Sequence, residues 1–289
     1  MTIESLLSIN PTSAIADEAV IFPKQNQTKL ALADLKNGLK AWRAWLMLAY
    51  QDIKLRYRRS IIGPFWITLS MAITVYSMGY LYSHLFHTDL QVYFPFLVAG
   101  MLSWSLISTA LIEVTEGFTT ATGSIKQIKL PYSLYIHRIA IRNIIVFFHN
   151  ILVIVPIIII FHKNAKLNLH SLMLFPSLLI MYINTFTWGC IIALICARFR
   201  DITQMVKSLV QIIFFLTPVM WDPVILPANI RFYFLLNPFY ALVDTIRSPL
   251  LGATISNLTL LITALVTIFG CIISFVMFSK YRSKIVYWL

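Results

Sequence analysis

Glu113 and Glu116 close the otherwise uncharged run Leu90–Ile112. A carboxylate in or beside a membrane span is a functional candidate by default. At the end of the run these two suit pairing with the bases of the following loop better than a proton relay. A second set is aromatic and hydroxylic. Trp66, Ser70, Ile73, Tyr76, Ser77, Tyr80 and His84 fall on roughly one helical face, and Trp104, Ser105, Ser108 and Thr109, then Gln211, Phe214, Phe215 and Thr217, extend the pattern. Flat rings stack on C–H faces and hydroxyls form hydrogen bonds, so such a lining suits a sugar chain. The same residues also serve ordinary packing between helices. A third set is Arg56, Arg58 and Arg59, a basic cluster that can anchor the helix to anionic lipid headgroups.

Other chemistries lack their residues. None of the nine glycines starts a G-x-x-x-x-G-K-[ST] phosphate loop, so the chain cannot cradle ATP by that route. Neither H-E-x-x-H nor G-x-S-x-G occurs, and the acids form no dense cluster. No catalytic residue, no metal and no cofactor bound by this chain is expected. His84, His87 and Asp89 have poor spacing for a metal, and Cys190, Cys196 and Cys271 read as small buried thiols. Ion-coupled carriers place ionisable groups or unwound helices near the membrane midplane. Here the span interiors hold none beyond the marginal Glu113 and Lys207. The driving force is therefore expected from another polypeptide.

The elements that must position these residues are helices in a membrane. Crossing a hydrocarbon core of about 30 Å takes roughly 20 helical residues. Runs of that order recur six times, in a chain that is 59% hydrophobic. The expected fold is an all-α membrane protein with spans at about 61–86, 93–114, 144–161, 172–197, 202–221 and 256–278. Before them come a loosely ordered cytoplasmic leader, 1–29, and an amphipathic helix, 30–59. In that helix Leu32, Leu35, Leu39, Trp42, Leu46, Ala49 and Ile53 recur every three or four residues among lysines and arginines. It should lie in the membrane interface and not cross it. Residues 60–289 then form one membrane domain. Between the last two spans, four prolines interrupt Asp222–Leu251. Two short half-helices on the outer side, near Ile230–Leu236 and Phe239–Arg247, fit that stretch.

The formal net charge of +12 is placed, not spread. With a cytoplasmic N-terminus, the inner segments hold 19 of the 23 lysines and arginines, leaving Lys163, Lys166, Arg231 and Arg247 outside. That bias puts both termini in the cytoplasm and accounts for the basicity without a nucleic-acid partner. The longest inner connection, Gly117–Asn143, carries Ile125, Ile128 and Leu130 among Lys126, Lys129, Arg138 and Arg142. An apolar stripe on a basic loop suits a docking surface, or rest on the bilayer. A short helix fits before Pro131.

The segment Leu55-Arg56-Tyr57-Arg58-Arg59-Ser60-Ile61-Ile62-Gly63-Pro64-Phe65-Trp66 resembles the start of the first span in permeases of the ABC-2 polysaccharide exporter family. Further matches are Lys129-Leu130-Pro131-Tyr132, Arg198-Phe199-Arg200-Asp201, Leu216-Thr217-Pro218-Val219-Met220-Trp221, Leu226-Pro227 and Asn237-Pro238, covering about 30–289 in order. The resemblance implies a homodimer in the bacterial inner membrane, working with two copies of a separate ABC ATPase subunit that holds ATP and Mg. It implies that the loop of Ile125, Lys126, Ile128, Lys129, Leu130, Pro131 and Tyr132 docks into that ATPase. This loop departs from the aromatic-Pro-Arg pattern common in such proteins. It implies that 30–59 is an interface helix and that Asp222–Leu251 forms outer gate helices. The implied cargo is a polysaccharide linked to undecaprenyl pyrophosphate, O-antigen, capsule or teichoic acid, and Arg56, Arg58 and Arg59 would then meet the pyrophosphate at the inner leaflet. The translocation path would then run along Trp66, Ser70, Tyr76, Tyr80, Trp104, Ser108, Phe214 and Phe215. Two other readings stay open. One is an exporter of a drug or small lipid from the same superfamily. The other is a membrane glycosyltransferase, which needs a carboxylate cluster or metal that the sequence does not offer.

Overall fold

The computed structural model describes residues 26–63, 65–85, 87–160 and 168–289. Most of the leader, the turn residues Lys163 and Lys166, and Pro64 and Phe86 lie outside the described residues. No strand occurs among those described. The helices are α1 (Gln27–Lys40), α2 (Trp42–Arg56), α3 (Phe65–Leu85), α4 (Leu90–Thr115), α5 (Thr122–Gln127), α6 (Ser133–Asn150) and α7 (Ile154–Ile160), followed by α8 (Leu174–Arg198), α9 (Asp201–Leu216), α10 (Ala228–Leu235), α11 (Pro238–Leu250), α12 (Asn257–Tyr281) and α13 (Ile285–Trp288).

Local signals set their ends. The Asp89 side chain accepts from the Gln91 amide at 2.9 Å and starts α4. Asn237 does the same for α11, with Pro238 in the first turn, where its missing N–H costs nothing. Ser256 caps α12. Among the described residues, four segments are long and apolar enough to cross a membrane: Leu90–Thr115, Ser133–Ile160, Leu169–Arg198 and Asn257–Trp288.

The α4 helix is the central member and packs against α3, α6, α8, α9 and α11. Between spans there is little hydrophobic drive, because lipid is as apolar as leucine. Small residues that let helices approach, and hydrogen bonds, hold such bundles instead. Gly100 on α4 is one such point. A Cβ there would run into the Val219 carbonyl oxygen and lie 2.8 Å from Arg247 Nη2. Arg247 is 2% exposed. Its Nη2 donates to the carbonyls of Pro218 and Val219 at 2.8 and 2.9 Å, and its guanidinium lies 4.2 Å from the Phe96 ring centre. One arginine thus ties α11 to the irregular stretch after α9. A second core gathers Ala31, Phe118, Ile125, Leu134, Leu194, Phe278 and Ile285, joining α1, α5, α6, α8, α12 and α13.

The structure departs from the sequence reading at several points, each with a physical reason. The amphipathic helix is two helices with a break at Ala41 (ψ 31°). The buried face of α1 carries Ala31, Asp34 and Gly38, while Leu32, Leu39, Trp42 and Leu46 are exposed. The third expected span begins at Ser133 and not near 144, because Arg138 and Arg142 are neutralised by partners on other helices. The α9 helix stops at Leu216, two residues before Pro218. At 16 residues it is short for a span, and the tyrosines, serines and His84 of α3 dilute the apolar character of that helix. Cys190 and Cys196 are buried, but Cys271 is exposed.

Gly100→Ala should lower stability by about 1–3 kcal/mol, since the contacted carbonyl is backbone and cannot swing aside. Thermal unfolding of the purified protein in detergent checks this, and an unchanged midpoint contradicts it.

Candidate functional site

The spacing of charges on α2 and α6 brings one ion network together at the end of α4. Asp52 and Arg56 lie one turn apart on α2, and Arg138 and Arg142 one turn apart on α6, so each pair shares a face. Arg138 forks onto Asp52, with Nε donating at 2.7 Å and Nη2 donating to the other carboxylate oxygen. Such two-point pairing is specific to the guanidinium plane. Arg142 bridges the acids, donating from Nη1 to Asp52 and from Nη2 to Glu113 Oε2 at 2.8 Å. Arg56 Nη2 donates to Glu113 Oε1 at 2.8 Å. Asn143 Nδ2 adds a bond to Glu113 at 2.7 Å and its Oδ1 accepts from Thr109 at 2.8 Å.

Three arginines face two carboxylates, so the cluster carries one net positive charge. Its inner members are largely withdrawn from solvent, the Asp52, Arg142 and Glu113 side chains being 13%, 14% and 18% exposed. Burial alone raises the Asp52 carboxyl, but hydrogen bonds and charge from Arg138 and Arg142 outweigh it and hold Asp52 below the usual carboxylate range. Its stabilising contribution is therefore complete above the ordinary Asp value near 3.9. It is lost as pH falls through the depressed folded value.

Above the network a crevice of about 270 Å³ opens between α3, α4 and α6. Its polar walls are Ser70 and Thr74, Ser105 and Thr109, and Asn143 and Asn150, with Arg56 and Tyr57 where it meets the ion network. Polar groups on helices of this length are tolerated where they line protein or a wet cavity. Three of the hydroxyl protons are already committed. Thr74 Oγ1 donates to Ser70 O at 2.9 Å and Ser105 Oγ to Leu102 O at 3.2 Å, while the single proton of Thr109 Oγ1 is shared between Ser105 O at 2.6 Å and Asn143 Oδ1 at 2.8 Å. The free lone pairs are what these hydroxyls offer to a molecule in the crevice. The rest of the lining, Ile67, Met71, Leu106, Val146 and Phe147, is apolar, so the crevice offers a few acceptors within a largely apolar wall.

The structure brings some of the sequence candidates together and scatters others. Ser70 lines the crevice, and Arg56 and Glu113 belong to the network. Tyr76 is committed to packing, its hydroxyl donating to Val153 O at 2.7 Å and its ring against Phe94. Trp104 is buried between Phe214 and Phe239. Ser108 bonds back to Ser105 O at 3.3 Å. Trp66, Tyr80 and Phe215 are exposed on the helix surfaces. Arg58 and Arg59 are exposed beyond α2, Arg59 in the left-handed region at φ 75°. Glu116 stands apart from Glu113 and pairs with Lys207 of α9 at 2.7 Å. In the loop from α5 to α6, Lys126, Ile128 and Lys129 are exposed, Ile125 is tucked into the second core, and Leu130, Pro131 and Tyr132 are half-buried. Asp34, Asp52 and the crevice hydroxyl Thr74 were not among the sequence candidates. The available signal was that Asp34 and Asp52 are the only acids in α1 and α2.

The sequence profile of the ABC-2 type transporter family matches residues 43–251. The chain belongs to the ABC-2 type transporter family. This ABC-2 permease is a membrane protein and a transport subunit, not itself a catalyst. It is 20% identical over 214 residues to an "O-antigen export system permease protein RfbA" of Klebsiella pneumoniae, covering 73% of this chain and 81% of that one. A second Klebsiella pneumoniae protein of the same name is 21% identical over 201 residues, covering 68% and 76%. The Myxococcus xanthus protein of that name is 22% identical over 179 residues, covering 61% and 67%. The matched region contains the whole ion network and every polar wall residue of the crevice.

Removing one member of a buried ion pair strands its partner, at a cost of about 3–5 kcal/mol. Glu113→Gln should therefore lower the stability of the permease by about 3 kcal/mol, and Glu113→Gln with Arg142→Met by less than the sum of the single changes. A thermal-unfolding double-mutant cycle reads this. Additive effects would mean that the two residues act separately.

Proposed function

We propose that this permease exports a lipid-linked polysaccharide of the O-antigen kind across the bacterial inner membrane, powered by a separate ATPase. The observation that carries the reading is the crevice with hydroxyl and amide acceptors set in an apolar wall, ending on a net cationic network. A sugar chain supplies hydroxyl donors for the first, and a lipid pyrophosphate supplies the anion for the second. The names of the relatives point the same way. The missing phosphate loop leaves ATP hydrolysis to a partner.

In this reading α3 and α9 also cross the membrane, giving six spans with both termini in the cytoplasm, and two copies of the chain enclose the path. The exposed aromatic and aliphatic residues of α3 and α9 are then covered in the assembly. The α1–α2 pair lies in the interface with Trp42 and Leu46 toward lipid, and α10 and α11 sit at the outer end as a gate. The exposed tip Lys126–Lys129 docks into one of two ATPase subunits, which carry ATP and Mg. Arg58 and Arg59, which have no acid partner among the described contacts, continue the cationic end of the network beyond Arg56, and the three meet the undecaprenyl pyrophosphate at the inner leaflet.

The test is reconstitution in vesicles with the ATPase and an undecaprenyl-pyrophosphate-linked polysaccharide. The permease alone should hydrolyse no ATP, and the complex should move polysaccharide only with ATP. Replacing Lys126–Leu130 by a Gly/Ser linker should abolish export while membrane insertion persists. Transport of small amphiphiles with intact surface polysaccharide in a deletion strain would favour the drug or small-lipid reading. ATP hydrolysis by the permease alone would overturn the proposal.

A further inference from the structure

Asp34 on α1 is a buried carboxylate with 0% side-chain exposure. An ionised group in such a place must be met on every side. Its Oδ2 accepts from the Tyr132 amide at 3.1 Å and from Arg282 Nε at 2.8 Å. Its Oδ1 accepts from the Ser133 amide at 3.0 Å and from Ser133 Oγ at 2.9 Å. Tyr132 is the N-cap of α6 and has no capping bond from its own side chain. The first amides of a helix lack partners within it, and here a carboxylate from another helix fills that role. Its negative charge also suits the positive end of an 18-residue helix. The Arg282 guanidinium, just past α12, lies 5.2 Å from the Tyr132 ring centre, closing a three-way contact. Gly38, one turn along α1, has no room for a Cβ because Ser133 Oγ occupies that space.

We infer that Asp34 is a positioning residue that locks the end of the 125–132 loop to α1 and to the segment after α12, so that a push on the loop is delivered to α6 and α12 together. The inference rests on the reading that this loop meets an ATPase. The geometry favours transmission over mere support. A buried ionic cluster adds little stability compared with apolar packing, but it fixes one register. The register fixed here joins the loop, the start of a spanning helix and the end of another. The α12 helix runs along α8 and α11, so it carries the displacement toward the stretch that Arg247 anchors. The loop tip stays exposed while its base is held, the arrangement of a lever with a fixed root.

The test uses the full permease with its ATPase, comparing Asp34→Asn, Arg282→Met and Arg282→Lys. In the permease without ATPase, Asp34→Asn should raise amide hydrogen exchange at residues 132–134 by about tenfold or more, and Arg282→Lys should leave it near the parent rate. In the complex, polysaccharide exported per ATP hydrolysed should fall several-fold for Asp34→Asn and Arg282→Met, with ATPase binding retained, and recover in Arg282→Lys. Unchanged exchange in Asp34→Asn, or an unchanged transport ratio in both damaging variants, overturns the inference. If the parent complex shows no ATP-driven export, the earlier reading fails instead. The exchange measurement then still decides whether the lock exists.

Discussion

Glu113 ends a helix built to lie in hydrocarbon, and its charge is tolerable there because Arg56, Arg142 and Asn143 converge on it from two other helices. That convergence fixes the position of α2 and α6 against α4. Arg142 holds Glu113 and Asp52 at once, and Asp52 also receives Arg138 from the same face of α6. The base of the crevice is therefore an ionic floor. A change in any one member leaves the others partnered wrongly.

The floor and the walls have opposite hydrogen-bonding character. Three guanidinium groups against two carboxylates leave donors and positive charge in excess. The hydroxyls of Thr74 and Ser105 give their protons to backbone carbonyls, and that of Thr109 is shared between Ser105 O and Asn143 Oδ1, so all three present acceptors. An anionic group followed by a chain of hydroxyls complements that order. The buried Arg247 and the Asp34 cluster repeat the principle elsewhere. Each is a charged side chain that ties an irregular segment to a helix by accepting or donating to backbone groups.

The helical class and the most apolar segments were legible in the sequence, because uncharged runs of this length have few alternatives. The expected spans 93–114, 172–197 and 256–278 overlie α4, α8 and α12. The start of α6 was not legible. Periodicity alone treats His137, Arg138 and Arg142 as loop charges, and only partners on other helices, Tyr182, Asp52 and Glu113, which lie 29 to 90 residues away in sequence, make them compatible with a helix. The same holds for Asp34, whose partners are 98 and 248 residues away. Among the path candidates, hydroxyl and ring types were readable but orientation was not. Tyr76 and Trp104 satisfy the helical face pattern yet are spent on Val153, Phe94, Phe214 and Phe239. Small hydroxyls at Ser70 and Ser105 turned out to matter more for the cavity than the large rings, because a crevice is made where side chains are short.

The proposed transport path requires the crevice between α3, α4 and α6 to be wet and open to polar cargo. Single cysteines at Thr74 and Ser105, in a background with Cys190, Cys196 and Cys271 replaced, can be probed in the assembled transporter with a charged, membrane-impermeant thiol reagent. Both should react much faster than a cysteine at Ile268, which is 55% exposed on α12 but faces lipid in this account. Equal rates at all three sites, or no reaction at Thr74 and Ser105, would contradict it.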